Sequence, residues 1–257
     1  MQPPNPRHDE ILALARTEGR VSAEALAETF GVSVQTIRKD LNTLCADGRL
    51  MRIHGGALYP SGIENLEYEA RRQIAAEEKA QIGRAVATLI PDNASLFINI
   101  GTTTEAVGQA LAGHKGLMVI TNNINVANRL RVLKDCEVVI AGGVVRGSDG
   151  GIVGEAAVDF IRQFKVDYAV IGTSAIDDDG ALLDYDFREV KVAQAIIANA
   201  RHVILAADAT KFERTAPVRI AHLSQISTFV TDRCTSGAVR AVCAEHGVQL
   251  IEAGAGD

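Results

Sequence analysis

Between Val32 and Leu44 the apolar residues recur at the spacing of an α-helix. Ile37, Leu41 and Leu44 lie at i, i+4 and i+7, which predicts one buried stripe, and Ser33 stands where an N-cap belongs. Polar and cationic residues occupy or flank the other face: Gln35, Thr36, Arg38, Lys39 and Asn42. A solvated surface helix shows the same pattern, but such a face can also read base edges and neutralise phosphates. We therefore treat Ser33 and these five residues as candidate DNA contacts.

Two further helices are predicted before this segment. Residues 8–17 have helical apolar spacing that stops at Gly19, and Ser22 with Glu24 begins a short helix over residues 23–29. Residues 30–32 form a tight turn centred on Gly31. Helix, helix, glycine turn, helix is the order of a helix-turn-helix module, in which the last helix enters the major groove.

Residues 49–58 are typical of a wing, two short strands around the bend Gly55-Gly56. Arg49, Arg52 and His54 would project from it toward the DNA backbone or the minor groove, where positive charge is favoured. Residues 1–58 thus predict a winged helix-turn-helix domain, and we favour double-stranded DNA over a protein as its partner.

A connecting region, residues 59–92, is predicted to follow the wing. Its first part has the Pro, Ser and Gly residues of a linker, and residues 67–89 form a predicted helix. The first half of that helix is rich in charge, including Lys79, and its simplest interpretation is a solvated face. Its position between two domains also makes it a candidate lever or dimer contact. Its second half has an apolar stripe at Ile82, Val86 and Leu89.

From residue 93 the pattern becomes strand, glycine-bearing turn, helix, repeated to residue 257. The predicted strands cover residues 96–100, 117–121, 137–141, 168–171, 202–207 and 228–231. Short apolar runs that alternate with helices predict an α/β domain with a doubly wound, mostly parallel sheet, covered on both faces. Ligands of such sheets bind beyond the carboxyl ends of the strands.

The sharpest candidate at those strand ends is the turn Gly101-Thr102-Thr103-Thr104. Glycine permits close approach of a ligand, threonines offer hydroxyls, and the next helix directs free amides at the same point, all of which suit a phosphate. An ordinary strand-to-helix turn with a Thr cap looks the same. Lys211, which follows a later strand, could supply countercharge, although loop lysines are commonly solvated. Asn122, Asn123, Gly142 and Gly143 occur at equivalent strand ends and complete the candidate effector-binding set.

Composition agrees with a regulator in the cytoplasm. The 257 residues suggest two domains, and the formal net charge of −6 excludes a chain that binds nucleic acid over its whole surface. No apolar run approaches a membrane span, and no signal peptide core is present. The cysteines Cys45, Cys136, Cys234 and Cys243 form no CxxC pair, so we expect reduced thiols and no metal site.

With both halves considered, the sequence resembles the DeoR family of bacterial transcriptional regulators over nearly its whole length. The family motifs are residues 32–41 and the wing residues 52–57; longer runs at 96–103, 121–128, 141–143 with 149–155, and 195–203 resemble a subgroup that responds to glycerol 3-phosphate. The resemblance implies a repressor that binds operator DNA, with a sensor domain of the sugar-phosphate isomerase fold. It further implies a homodimer or homotetramer, no cofactor, and a phosphorylated effector held by the Gly-Thr-Thr turn and Lys211.

One departure from the family pattern concerns Asn99, where the family commonly has an acidic residue. An amide cannot act as a general base, so we expect no catalytic residues and no enzyme activity. The possible carboxylates that remain are Asp184, Asp186, Glu189 and Asp208, although surface turns are commonly rich in acids. A sugar-phosphate isomerase or deaminase with a DNA-binding module is the alternative from another class. A repressor induced by a different sugar phosphate is a third interpretation, because Asn99 could change how a ligand hydroxyl is held.

Overall fold

The computed structural model describes residues 6–18, 20–53, 55–58 and 68–254, with residues 16–18, 20, 51–53, 58 and 69 described by their backbone alone. The chain divides into two compact units, residues 1–64 and residues 65–257. Among the described residues no helix has the length and apolar character needed to cross a bilayer.

The first unit is a winged helix-turn-helix. Its elements are α1 (Pro6–Glu18), β1 (Arg20–Ser22), α2 (Ala23–Phe30), α3 (Val34–Ala46), β2 (Met51–Ile53) and β3 (Gly56–Leu58). The strands form an antiparallel sheet in the order β1-β3-β2, so the predicted two-stranded wing has a third strand, β1, that the sequence did not reveal. Ile37, Leu41 and Leu44 of α3 are fully buried in the core of this unit, which confirms the predicted stripe.

Local hydrogen bonds explain how α3 is placed. Ser33 Oγ accepts from the amide of Thr36 at 3.1 Å, the predicted N-cap. Asp40 is buried on the inner side of α3, where Arg7 Nε donates to it at 2.7 Å and His8 Nε2 lies 3.1 Å from its other oxygen. This ion pair fixes α3 against α1, because a buried carboxylate is tolerated only when it is paired.

The second unit is a three-layer α/β domain. Its helices are α4 (Tyr68–Gln73), α5 (Ala76–Thr88), α6 (Thr102–Ala110), α7 (Ile124–Leu130), α8 (Glu155–Ile161), α9 (Phe187–Ala198) and α10 (Gly237–Glu245). Its strands are β4 (Ser95–Ile98), β5 (Leu117–Thr121), β6 (Cys136–Ile140), β7 (Val144–Val145), β8 (Ile152–Val153), β9 (Val166–Ile171), β10 (Ala175–Ile176), β11 (Ala181–Asp184), β12 (Ala200–Ala206), β13 (Val218–His222), β14 (Thr228–Thr231) and β15 (Gln249–Glu252).

Seven of these strands form the main sheet in the order β15-β14-β12-β9-β4-β5-β6, and all of its ladders are parallel. The chain starts at β4, winds to β6, and then crosses back to continue from β9 to β15. Phe97 and Ile98 of β4 belong to the two different apolar clusters that cover the faces of the sheet. The doubly wound parallel sheet is thus confirmed, with β15 and two small antiparallel sheets, β7-β8 and β10-β11-β13, added to the prediction.

The single helix predicted over residues 67–89 is wrong, because the chain breaks into α4 and α5 at Ala75, which has a left-handed φ of 52°. The break is stabilised by Lys79, whose ammonium donates to the carbonyls of Arg71 at 2.5 Å and Ile74 at 2.6 Å. Lys79 is 4% exposed, so the prediction that it lies on a solvated face is also wrong. Helix α5 packs on α6 and on the sheet, within the second unit.

Candidate nucleic-acid interface and effector site

The polar face of α3 lies on the surface of the first unit. Gln35, Arg38, Lys39 and Asn42 are exposed, and Thr36 is partly exposed with its hydroxyl 2.9 Å from that of Ser33. The opposite face is the one that fixes the helix to the core, through Ile37, Leu41 and Asp40. Because the face of α3 that carries these donors and acceptors lies on the surface, it has the form that a groove-reading helix needs.

The predicted wing cations are described only in part. Arg49 is partly buried, and its Nη2 lies 3.6 Å from Asp9 of α1. Arg52 lies in β2, with its side chain outside the described atoms, and His54 lies outside the described residues. The wing backbone itself is present as β2 and β3, so its strands are where the sequence predicted them.

In the second unit, the winding direction of the sheet changes between β4 and β9. Crevices form at such a switch point, beyond the carboxyl ends of the strands. The predicted turn lies there: Gly101 follows β4 with a φ of 148°, and α6 begins at Thr102. Thr104 is fully buried and its hydroxyl donates to the carbonyls of Asn99 and Gly101, at 2.7 and 2.8 Å. Thr104 therefore braces the turn, while Thr102 and Thr103 begin the helix.

A group of cations lies beside this turn, around Lys211. Lys211 is 8% exposed, and burial lowers its pKa to about 8; Asp208 opposes that shift, and Arg214, Lys79 and Arg71 add to it. Burial alone would raise the pKa of Asp208, but Lys211 and Lys79 hold it below its ordinary value. The carbonyl of Arg71, which accepts from Lys79, lies 3.5 Å from the Thr102 hydroxyl. Lys211 thus lies in one cluster with Lys79, Arg71 and Asp208, and the Arg71 carbonyl connects that cluster to the Gly101 turn through Thr102.

Asn122 and Asn123 are both fully buried at the end of β5. Asn123 Oδ1 caps α7 by accepting from the amides of Asn125 and Val126, at 2.9 and 3.3 Å, and its Nδ2 donates to Glu105 of α6 at 3.2 Å. Asn122 Nδ2 donates to the carbonyl of Ile152 at 3.1 Å. Asn123 thus links two helices, and Asn122 holds β8 against the end of the sheet.

Gly142 and Gly143 lie at the end of the edge strand β6 and lead into the β7-β8 hairpin. Both are exposed, in contrast to the buried residues that end β4 and β5. The hairpin returns over the strand ends, where Ile152 N donates to Asn122 O at 2.7 Å and Ile124 N donates to Gly150 O at 3.2 Å. The two glycines therefore border the site at its edge.

The guanidinium of Arg146 binds three carboxylates beside the β7-β8 hairpin. It donates to Asp149 at 2.8 Å, to Asp186 at 3.1 Å and to Glu189 at 2.6 Å, and Arg71 also donates to Asp149, at 3.1 Å. Burial, together with the nearby Asp184, raises the pKa of Glu189 to about 8. These interactions fix the hairpin to α4 and α9 on either side of the strand ends.

Sequence reasoning missed Arg71 and Lys79 as neighbours of Lys211 and the Gly101 turn. The sequence did contain a signal for the burial of Lys79. Ile82 and Val86 follow Lys79 at i+3 and i+7, so Lys79 lies on the apolar stripe of α5. No comparable signal exists for Arg71, since only the break at Ala75 brings α4 to the strand ends. Among the described residues no cluster of His, Cys, Asp and Glu could hold a metal ion.

The first unit is a winged helix-turn-helix with an exposed polar and cationic face on α3, and the second has the buried cations Lys79 and Lys211 near the switch point of an α/β sheet. Such a pair of units is typical of a DNA-binding regulator with a ligand sensor. Comparison with known proteins agrees. Residues 7–62 match the DeoR-like helix-turn-helix domain, and residues 74–233 match the DeoR C terminal sensor domain. The chain belongs to the DeoR family.

Curated relatives span almost the whole chain. The glycerol-3-phosphate regulon repressor of Escherichia coli is 46% identical over 95% of this chain and 97% of the relative. That of Haemophilus influenzae is 48% identical over 91% of each. The transcriptional repressor CsqR of E. coli is 38% identical over 96% of this chain and 95% of the relative. These relatives are named as repressors, which confirms the prediction of a regulator rather than an enzyme.

Solved structures overlap with the chain more loosely. Ribose 5-phosphate isomerase A from Neisseria gonorrhoeae has a TM-score of 0.39 and 14% identity over 53% of each chain. The translation initiation factor eIF-2B of Pyrococcus horikoshii has a TM-score of 0.44 and 17% identity over 87% of this chain and 86% of that one. At these TM-scores the overlaps support no conclusion about function.

Proposed function

We propose that this protein is a repressor of glycerol and glycerol 3-phosphate metabolism, which binds operator DNA and is released from it by glycerol 3-phosphate. The near full-length similarity to repressors named for the glycerol-3-phosphate regulon is the observation that carries the proposal. The effector and the genes under control are inferences from those names.

The DNA contacts in this proposal follow from the exposed face of α3. Gln35, Arg38 and Asn42 have side chains that can hydrogen-bond base edges, and Lys39 can neutralise a phosphate. Ser33 and Thr36 at the N-terminus of α3 are placed for the DNA backbone, since helix N-termini favour phosphate oxygens. Arg49, Arg52 and His54 of the wing would add contacts to the backbone or the minor groove.

The proposed effector contacts are the cations around Lys211 and the Gly101 turn beside them. Lys211, Lys79 and Arg71 would hold the phosphate together with the free amides at the start of α6, around Thr102 and Thr103. Arg71 Nε is a buried donor with no hydrogen-bond partner among the described residues, and a phosphate oxygen would satisfy it. Gly101 and Thr104 shape the turn, Asn122 and Asn123 hold its neighbours, and Gly142 and Gly143 border the site.

Release would be a matter of linkage. If the effector binds better to a state that holds operator DNA poorly, each ligand lowers the affinity of the other by the same factor. A coupling of ~1–3 kcal/mol, about 5- to 150-fold, is common for such regulators.

The direct test measures binding of the full chain to an operator fragment with and without glycerol 3-phosphate. We expect the dissociation constant to rise about tenfold or more with the effector. A panel of other phosphorylated sugars and polyols decides between this effector and another one. An operator affinity that no member of the panel changes would reject effector control by phosphate esters.

We further propose that the chain acts in the cytoplasm as a homodimer or homotetramer. Exposed apolar side chains lie at the end of the edge strand β6 and just beyond it: Ile140, Val144 and Val145. Hydrogen bonds to β5 use the carbonyl of Asp135 and the amide of Ala141. Alternate residues of a strand bond to opposite sides, so the backbone groups of Cys136, Val138 and Ile140 point away from the sheet. An open apolar edge of this kind suits pairing with a second copy.

Sedimentation tests this surface. The double change Ile140→Lys with Val144→Lys should shift the particle mass to that of a monomer or of a smaller oligomer. Phe187→Lys is the matched control, because Phe187 is 61% exposed on α9 and should tolerate the same change without effect. An unchanged mass for the double variant would place the subunit contact elsewhere.

A further inference from the structure

Two buried amide oxygens at the carboxyl ends of β4 and β5 have no hydrogen-bond partner among the described residues. They are Oδ1 of Asn99, whose residue is 2% exposed, and Oδ1 of Asn122, whose residue is fully buried. Leaving one such acceptor unsatisfied costs on the order of 1–3 kcal/mol, so native proteins rarely keep any without a purpose. Two at neighbouring strand ends indicate a group that these oxygens bind.

Asn99 and Asn122 are neighbours by register. Ile98 of β4 pairs with Thr121 of β5 in a parallel ladder, and Asn99 and Asn122 are the next residue of each strand. By the alternation of a strand, both side chains leave the sheet on the side of Phe97 and Ile120, which share one apolar cluster. Asn99 also lies two residues before Gly101, and its carbonyl accepts from the hydroxyl of Thr104. The pair therefore adjoins the proposed phosphate site.

The amide of Asn122 has a defined orientation. Its Nδ2 donates to Ile152 O at 3.1 Å, and a flipped amide would place two oxygens against each other. Oδ1 is thus a fixed acceptor, which can be satisfied only by a donor. A hydroxyl of a ligand is such a donor, whereas a carbonyl oxygen is not.

We propose that Asn99 and Asn122 determine effector specificity by accepting hydrogen bonds from hydroxyls of a phosphorylated polyol, so that the sensor binds the alcohol and rejects the ketone of the same carbon skeleton. The inference rests on the proposed function, because it assumes that a phosphate ester occupies the adjacent site. A site built to hydrogen-bond a hydroxyl discriminates strongly against analogues that lack it, since its own buried groups then stay unpaired.

The test is calorimetric titration of the full chain with glycerol 3-phosphate, dihydroxyacetone phosphate and 3-hydroxypropyl phosphate. The second ligand has a carbonyl at the middle carbon, and the third has no oxygen there. We expect both to bind about tenfold to hundredfold more weakly than glycerol 3-phosphate. Equal affinities for the alcohol and the ketone would overturn the inference.

Asn99→Leu keeps the branching of the side chain but removes its acceptor and its amide donor. We expect the preference for the alcohol to shrink by about tenfold or more, and the melting temperature of the free chain to stay equal or rise, because an unsatisfied buried group is lost. Asn99→Asp is the matched variant, which keeps an acceptor and should keep the preference for the alcohol even if affinity falls. A preference that survives in Asn99→Leu would show that Asn99 does not read the hydroxyl.

The outcomes separate this inference from the proposed function. Equal binding of the three esters, with release of operator DNA by each, would remove the inference and leave effector control by phosphate esters intact. Binding of none of them would remove both the inference and glycerol 3-phosphate as the proposed effector.

Discussion

Arg38 is an exposed cation on the polar face of α3, and its proposed contact with DNA can be tested separately from the fold. Arg38→Ala should weaken operator binding by ~1–3 kcal/mol if the guanidinium hydrogen-bonds a base. If it contacts a phosphate, the slope of the logarithm of the binding constant against the logarithm of the salt concentration should fall in magnitude by about one. Fluorescence anisotropy at several salt concentrations measures both quantities.

The control for this change is Arg84→Ala, since Arg84 is also an exposed helical arginine but lies on α5 of the other unit. We expect it to bind operator DNA normally. Loss of effector binding in Arg38→Ala, alongside loss of DNA binding, would indicate damage to the fold and not the loss of a contact.

Lys211 connects effector affinity to pH. Burial lowers its pKa from an ordinary 10.5 to about 8, so the ammonium loses its proton over a window in which a phosphate monoester, with a second pKa of about 6, stays a dianion. A bound phosphate favours the charged lysine, so binding takes up a proton above pH 8. Affinity should therefore fall as pH rises from about 8 toward 10.

Calorimetry across that pH range checks the prediction, and Lys211→Gln should bind more weakly with a flatter profile. The folding stability of the free chain should change with pH in the opposite direction and rise where effector affinity falls. Burying the charged lysine costs free energy below its folded pKa of about 8, and this cost disappears as pH rises toward the ordinary value of 10.5. An effector affinity that stays constant between pH 7 and 10 would show that Lys211 does not contact the phosphate.

At the level of elements, α5 and α6 approach each other closely at Gly83. A Cβ at Gly83 would lie 2.7 Å from the carbonyl oxygen of Ala106 and 2.8 Å from its carbon, and both are backbone atoms of α6. Gly83→Ala must push the helices apart, at a cost of ~1–3 kcal/mol. Since α6 begins at the Gly101 turn, its displacement should also weaken effector binding.

Thermal denaturation and effector titration of Gly83→Ala measure the two effects. Gly113→Ala is the control, because a Cβ at Gly113 meets nothing within 4 Å and should leave both properties unchanged. If Gly83→Ala keeps the wild-type melting temperature, α5 does not rest on α6 as the structure has it.

The elements themselves were largely predictable because their cores have a strong period. The stripe of α3 and the apolar runs of β4, β5 and β9 were visible in the sequence, and so was the Ser33 cap. The break at Ala75 was not, because it depends on Lys79 reaching the carbonyls of Arg71 and Ile74 across the gap. Strand β1 and the hairpin β7-β8 are two to three residues long, too short to show a period.

The candidate site was predictable at the level of place but not of roles. Gly101, Thr102 and Lys211 were found because parallel sheets bring strand ends together. Thr104 and Asn123 were grouped with them, and the structure shows that their polar atoms brace the turn and cap α7. Which polar atoms a fold uses internally depends on partners far apart in the chain, such as Asn123 with Glu105.

In the whole protein, effector binding to the sensor unit must change the affinity of the DNA-binding unit for operator DNA, and operator binding must change the affinity for the effector. Linkage makes this requirement quantitative: the factor by which glycerol 3-phosphate weakens operator binding must equal the factor by which the operator weakens glycerol 3-phosphate binding. A coupling that appears in one direction only would indicate competition from a contaminant or a second site.

The measurement that tests the central claim most directly is the affinity of the full-length protein for its operator, at fixed salt, across a titration of glycerol 3-phosphate. We predict that the operator dissociation constant rises about tenfold or more and then reaches a plateau. In Lys211→Gln this rise should occur at a higher effector concentration. A constant operator affinity across the titration, in a protein that binds the operator selectively, would contradict it.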